Sequence, residues 1–186
     1  GSQWFGQRFD FQAQKSYNFN FPNLSNDSIY LKISAVSRST SSSRFDIRAQ
    51  GNIIGNINIS PISGNYASDY AKDEVFSNYF LSNSDNFQIE LTYVPQISNS
   101  TGWLDYIELN AERELNFVGT QMLFTNCESF TSEDRKYLIN NVSTNQSIWD
   151  ITNKNDVVQK EITFSNNQAQ IFSKDDLCNE FIIFTN

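Results

Sequence analysis

The residues able to do chemistry are few, and their types set the limits. The chain has no histidine and only two cysteines, Cys127 and Cys178. Without histidine there is no Ser-His-Asp or Cys-His nucleophile, no imidazole general base and no ordinary zinc site. Nothing near either cysteine in sequence would hold it as a thiolate. Two roles remain open for them: a disulfide, which would add about 3–4 kcal/mol across a loop of this size, or a pair of free, half-buried thiols.

The carboxylates offer little more. Asp69, Asp73 and Glu74 fall within one short segment and could share a Ca²⁺, which takes six to eight oxygens. They match no defined calcium loop, and solvated surface acids are the better account of them. Asp105 and Glu108 could be posed as a glycosidase pair. Three residues apart on a strand they leave on opposite faces, so without a bulge they cannot converge on one bond. The sequence implies no catalytic residue, cofactor or metal.

Aromatic side chains are the remaining candidates. Trp4, Tyr66, Tyr70 and Tyr79 sit in or near expected loops and could stack against pyranose rings, making a glycan the ligand. Core or rim packing is the plain alternative, since the chain has 16 Phe and 8 Tyr. Trp103 and Trp149 fall inside strand patterns and are assigned to the core.

These side chains must be positioned by strands. Ile29, Leu31, Ile33 and Ala35 alternate with polar residues, as do Phe45, Ile47 and Ala49, then Ile57 and Ile59, then Phe87, Ile89, Leu91 and Tyr93. One dry and one wet face per strand is what antiparallel sandwiches require. Turn residues separate the strands at 23–28, 37–43, 50–52, 60–66 and 97–102. Asp69 to Tyr79 carries Tyr70, Val75 and Phe76 at near-helical spacing and is expected to form one short helix. Ser132 to Leu138 is expected to form a helical turn capped by Thr131 or Ser132. Further strands are expected at 147–152, 159–165, 168–173 and 180–185, with a tight hairpin at Asn166-Asn167.

The expected fold is all-β: an antiparallel sandwich, jelly-roll-like over residues 1–126. Residues 127–186 add strands that extend the sandwich or form a small appended β unit. The net charge of −8, with no basic cluster, excludes nucleic acid and disfavours an anionic membrane surface. The opening Gly1-Ser2, with no Met or apolar leader, reads as a cleavage scar, so a longer parent chain is expected.

One stretch is distinctive: Thr101-Gly102-Trp103-Leu104-Asp105-Tyr106-Ile107-Glu108-Leu109, a turn and a strand in which Trp103, Ile107 and Leu109 share a face. Closing strands of this type resemble those of jelly-roll carbohydrate-binding modules. A carbohydrate-binding module of an exported glycosidase or adhesin is therefore one reading. A second resemblance rests on the order of several motifs: Gly6-Gln7-Arg8-Phe9-Asp10, Tyr17 to Pro22, this closing strand, Asn116 to Gly119, Gln121 to Phe124, and Ser147 to Asn153. In that order the chain resembles the non-catalytic β region preceding the gingipain-like cysteine peptidase domain in the PorU family of type IX secretion sortases of Bacteroidetes. The resemblance implies an exported protein at the outer membrane or cell surface of a Gram-negative bacterium. Its peptidase domain would lie downstream and remove sorting signals from cargo. The catalytic Cys and His of that domain match nothing here. What remains for this segment is an accessory role: positioning the peptidase, or contacting secreted cargo and secretion components.

Overall fold

A computed structural model describes residues 5–65, 69–127, 135–173 and 178–186. Among them lie β-strands and no helix, and the chain divides into two compact units, Gly1–Arg113 and Glu114–Asn186.

The first unit holds β1 (Arg8–Phe9), β2 (Gln14–Asn20), β3 (Ser28–Arg38), β4 (Ser43–Ala49), β5 (Asn52–Ile59), β6 (Lys72–Leu81), β7 (Asn86–Pro95) and β8 (Thr101–Asn110). They form two antiparallel four-stranded sheets, ordered β1-β8-β3-β6 and β2-β7-β4-β5. That interleaving is the jelly roll, two Greek keys wrapped into a double sheet. The alternating patterns do what their period dictates. On β7, Phe87, Ile89, Leu91 and Tyr93 are buried and the residues between them are more exposed. The turns follow local chemistry as well. Gln50 and Gly51 both take positive φ and close a two-residue β4–β5 hairpin.

The two sheets are tied by aromatic contacts across the core. Phe9 meets Phe45 edge-on at 5.3 Å and Phe80 meets Phe87 edge-on at 5.5 Å, while within its own sheet Phe45 lies 4.8 Å from its register partner Tyr93. Tyr93 is fully buried, and its hydroxyl is satisfied by the Ser37 Oγ at 2.7 Å, which also accepts from Ser43 at 2.8 Å. Gly102 makes room for these rings. A Cβ there would lie 2.6 Å from Phe45 Cζ and 2.9 Å from Tyr93 Cδ2.

Sequence expectations are overturned in both units. Residues 72–81 form β6, a strand, with no helix among its described neighbours. Phe76 and Phe80 are four apart, a spacing that shares a face in helix and strand alike, so their pattern could not decide. The exposed ladder of β3 decided: ten residues pair from Ser28↔Leu81 to Ser37↔Lys72. Arg135–Leu138, expected to be helical, lies in β10 (Arg135–Asn140); the rest of that expected turn lies outside the described residues. Trp103 does not share a face with Ile107 and Leu109. A bulge opposite Ser34/Ala35 skips Asp105, so the parity of β8 flips and Leu104 takes the core position.

The second unit begins at Glu114, so β9 (Gln121–Asn126) belongs to it. It also contains β10, β11 (Gln146–Asp150), β12 (Val158–Gln159), β13 (Thr163–Ser165), β14 (Gln168–Ser173) and β15 (Asn179–Thr185). Sheets β12-β11-β15-β9 and β10-β14-β13 enclose their own core. Phe181 of β15 stacks on Phe124 of β9 at 5.2 Å and meets Tyr137 of β10 at 5.2 Å, which ties one sheet to the other. Asn166 and Asn167 both take positive φ and turn β13 into β14, as their sequence predicts. Cys127 and Cys178 are bonded, one residue beyond the Asn126↔Asn179 register pair, with Cα atoms 4.3 Å apart.

Two outcomes test this account. Replacing both cysteines (Cys127→Ala with Cys178→Ala) removes a crosslink spanning 51 residues and should cost about 4 kcal/mol, read as a lower urea midpoint by circular dichroism. Gly102→Ala should cost about 1–3 kcal/mol in the same assay, because the neighbours it strikes are buried rings with nowhere to move.

Candidate functional site

The inner faces of both sheets are consumed by packing, so any site in the first unit must be built on the outer faces or the loops. On the β1-β8-β3-β6 sheet, strand parity sends Tyr30 and Lys32 of β3, Tyr106 and Glu108 of β8, and Val75, Tyr79 and Leu81 of β6 outward. Tyr30 and Tyr79 are directly paired, with ring centroids 5.3 Å apart and planes inclined by 56°. The Lys32 ammonium lies 5.8 Å from the Tyr106 ring and 3.8 Å from the Glu108 carboxylate. Leu81, Tyr79 and Val75 are 70%, 62% and 51% exposed, so apolar surface concentrates along this edge strand.

The residues nominated from sequence distribute unevenly. Trp4 and Tyr66 lie outside the described residues. Tyr79 stands on the tyrosine face just described. Tyr70, exposed just before β6, carries the Arg38 guanidinium 4.3 Å from its ring centroid. Asp73 and Glu74 are successive residues of β6, so their side chains leave on opposite faces, and Asp69 precedes the strand. Among the described residues no group of three or more His, Cys, Asp or Glu is placed to hold a metal ion.

Asp105 occupies the bulge that the pairing with Glu108 would have required. Each carboxylate is otherwise engaged: Asp105 accepts from the Ser34 hydroxyl at 3.3 Å, while Glu108 accepts from the Asn110 amide at 3.1 Å and faces Lys32. Trp149, assigned to the core from sequence, is 38% exposed and meets Phe184 edge-on at 5.8 Å on the outer face of its sheet. Ile148 took the core position, since in the run Ser147-Ile148-Trp149 either parity buries one large side chain.

The sequence reading passed over the opposite outer face. On β2-β7-β4-β5 the outward residues at the far end of the β2–β7 ladder are amides, Asn18 opposite Gln88 and Asn20 opposite Asn86, while further along Ser16 faces Glu90 and Gln14 faces Thr92. The signal was present in the polar half of each alternating run, Asn18-Phe19-Asn20 and Asn86-Phe87-Gln88. Only the register shows that the four meet. On the inner side of β2, partial burial pushes the Tyr17 hydroxyl above the usual tyrosine range, and it donates to Gln7 Oε1 at 2.6 Å.

An eight-stranded jelly roll and a smaller, disulfide-clipped β sandwich place the described residues in the all-β class. The chain has the fold of part of PorU. In the crystal structure of dimeric latent PorU from Porphyromonas gingivalis, 97% of this chain superposes with a TM-score of 0.80 at 15% sequence identity. The match spans 18% of that chain, so this sequence corresponds to about a fifth of its length. The insecticidal delta-endotoxin Cry8Ea1 from Bacillus thuringiensis also matches, over 57% of this chain and 19% of its own, with a TM-score of 0.43 and 16% identity. No protein-family model matches the chain, and no curated protein matches it either.

The tyrosine face should be dispensable for folding. Tyr79→Ser should change unfolding free energy by no more than about 0.5 kcal/mol, the usual range for an exposed position. Tyr93→Phe, which strips a hydrogen bond from a buried hydroxyl network, should cost about 1 kcal/mol in the same urea titration.

Proposed function

We propose that this chain is a non-catalytic accessory module of an exported, type IX secretion sortase-like protein at the surface of a Gram-negative bacterium. In this reading it positions a cysteine peptidase domain carried elsewhere on the polypeptide, or contacts secreted cargo and other secretion components. The observation that carries the reading is the match to PorU across both units at once, 97% of the chain at a TM-score of 0.80. A jelly roll alone is common to many functions and would support far less. The order of the sequence motifs, from Gly6-Gln7-Arg8 to Ser147-Ile148-Trp149, supports the same assignment.

Two further features agree with it. The Cys127–Cys178 disulfide is formed by exposed residues, which suits a chain that works outside the reducing cytoplasm. The absence of histidine suits a module whose chemistry is done by another domain.

The test is deletion of the segment encoding residues 5–186 from the full gene in its native host. Secreted cargo should then accumulate with its carboxy-terminal sorting signal attached, visible as a mass increase in the surface fraction. Normal trimming by a truncated protein present at wild-type levels would sink the proposal.

A further inference from the structure

The outer face of the β2-β7-β4-β5 sheet carries an ordered amide cluster. Asn20 Nδ2 donates to Asn86 Oδ1 at 2.8 Å, and Gln88 Nε2 donates to Asn18 Oδ1 at 3.0 Å, each pair spanning the β2–β7 ladder. A fifth amide joins from the end of β4. Gln50, held at φ 50° in the hairpin, donates its backbone N–H to the Gln88 carbonyl at 2.9 Å and its Nε2 to Ser82 Oγ at 2.7 Å. These five, with Phe19 and Phe87, line an open groove of about 550 Å³, within the size range of small-ligand sites.

The chemistry of the lining is specific. None of its residues is charged, in a chain whose net charge is −8. The cross-strand bonds fix the amide planes and use one N–H each from Asn20 and Gln88. Asn18 and Asn86 act as acceptors in the ladder, which leaves both amide protons of each to point elsewhere. The groove therefore presents donors and acceptors side by side, pre-oriented and without charge. A pair of neighbouring sugar hydroxyls, each both donor and acceptor, complements one carboxamide through two hydrogen bonds. An ionic ligand would find no counter-charge to offset its desolvation.

We propose that this groove is a binding site for a neutral oligosaccharide. An extended peptide is the competing ligand, because β2 is an edge strand. Strand addition takes place in the plane of the sheet, whereas the amides project from its face. The edge is also guarded: Lys15 of β2 points inward, its ammonium 5.1 Å from the centroid of the buried Phe9 ring, and inward-facing lysines oppose edge pairing. The proposal stands on the first unit alone and is independent of the secretion reading.

The intact chain would be applied to an array of neutral and acidic oligosaccharides, and the best neutral glycan titrated by calorimetry against wild type and variants. The double variant Asn18→Ala with Asn86→Ala should weaken binding at least tenfold, while Tyr79→Ser on the opposite sheet leaves it unchanged. Should the alanine pair lower the thermal midpoint, Asn18→Asp with Asn86→Asp, which keeps shape and removes the donors, should give the same loss. The proposal is overturned if no neutral oligosaccharide binds, or if only acidic ones do. Binding that survives both double variants, or capture of an Asn-rich extended peptide without any sugar binding, would overturn it too.

Discussion

The first unit depends on one crowded seam in which the rings of Phe45 and Tyr93 from one sheet pack against Phe9 and the bare backbone of Gly102 on the other. A sandwich needs inner side chains large enough to fill a gap of about 10 Å and small enough at intervals to let them interdigitate. Tyr93 brings a polar atom into that gap, and the serine hydroxyls of β3 and β4 satisfy it, so no desolvated donor is left behind. Because the inner faces are committed to this packing, the outer faces carry no obligation to the fold. They are free to hold the tyrosines on one side and the amides on the other.

The second unit solves the same problem at a smaller scale. Its core is a short list of side chains centred on Phe124, Tyr137 and Phe181, and small domains bury a smaller share of their surface than large ones. The crosslink at the root of β9 and β15 compensates by restricting the unfolded chain. The disulfide and the aromatic cluster lie on the same strand pair, so the constraint falls where the two sheets of this unit are joined.

Function in such a scaffold is a matter of surfaces. The match with PorU extends over both units at 15% sequence identity, so what it shows is a shared fold, and a fold by itself does not carry function. The neutral amide groove and the apolar edge along Val75, Tyr79 and Leu81 are features of this chain's own exposed residues. They owe nothing to the inner pattern that makes the fold.

The alternating runs, the tight Asn166-Asn167 hairpin and the turn at 50–52 were legible in sequence because each depends on neighbours a few residues away. Period two assigns a face, and positive φ selects Asn and Gly, wherever the strand lies. The missing histidine likewise excluded whole classes of chemistry without any structure. The identity of β6 as a strand, the flipped parity of Trp103, the exposure of Trp149, the pairing of Cys127 with Cys178 and the meeting of Asn18, Asn20, Asn86 and Gln88 were decided only by the tertiary structure. Each depends on which strand lies alongside and in what register, a choice made between residues tens of positions apart. Parity along a strand is local, but which parity faces the core and which partner it meets is settled by the ladder that forms.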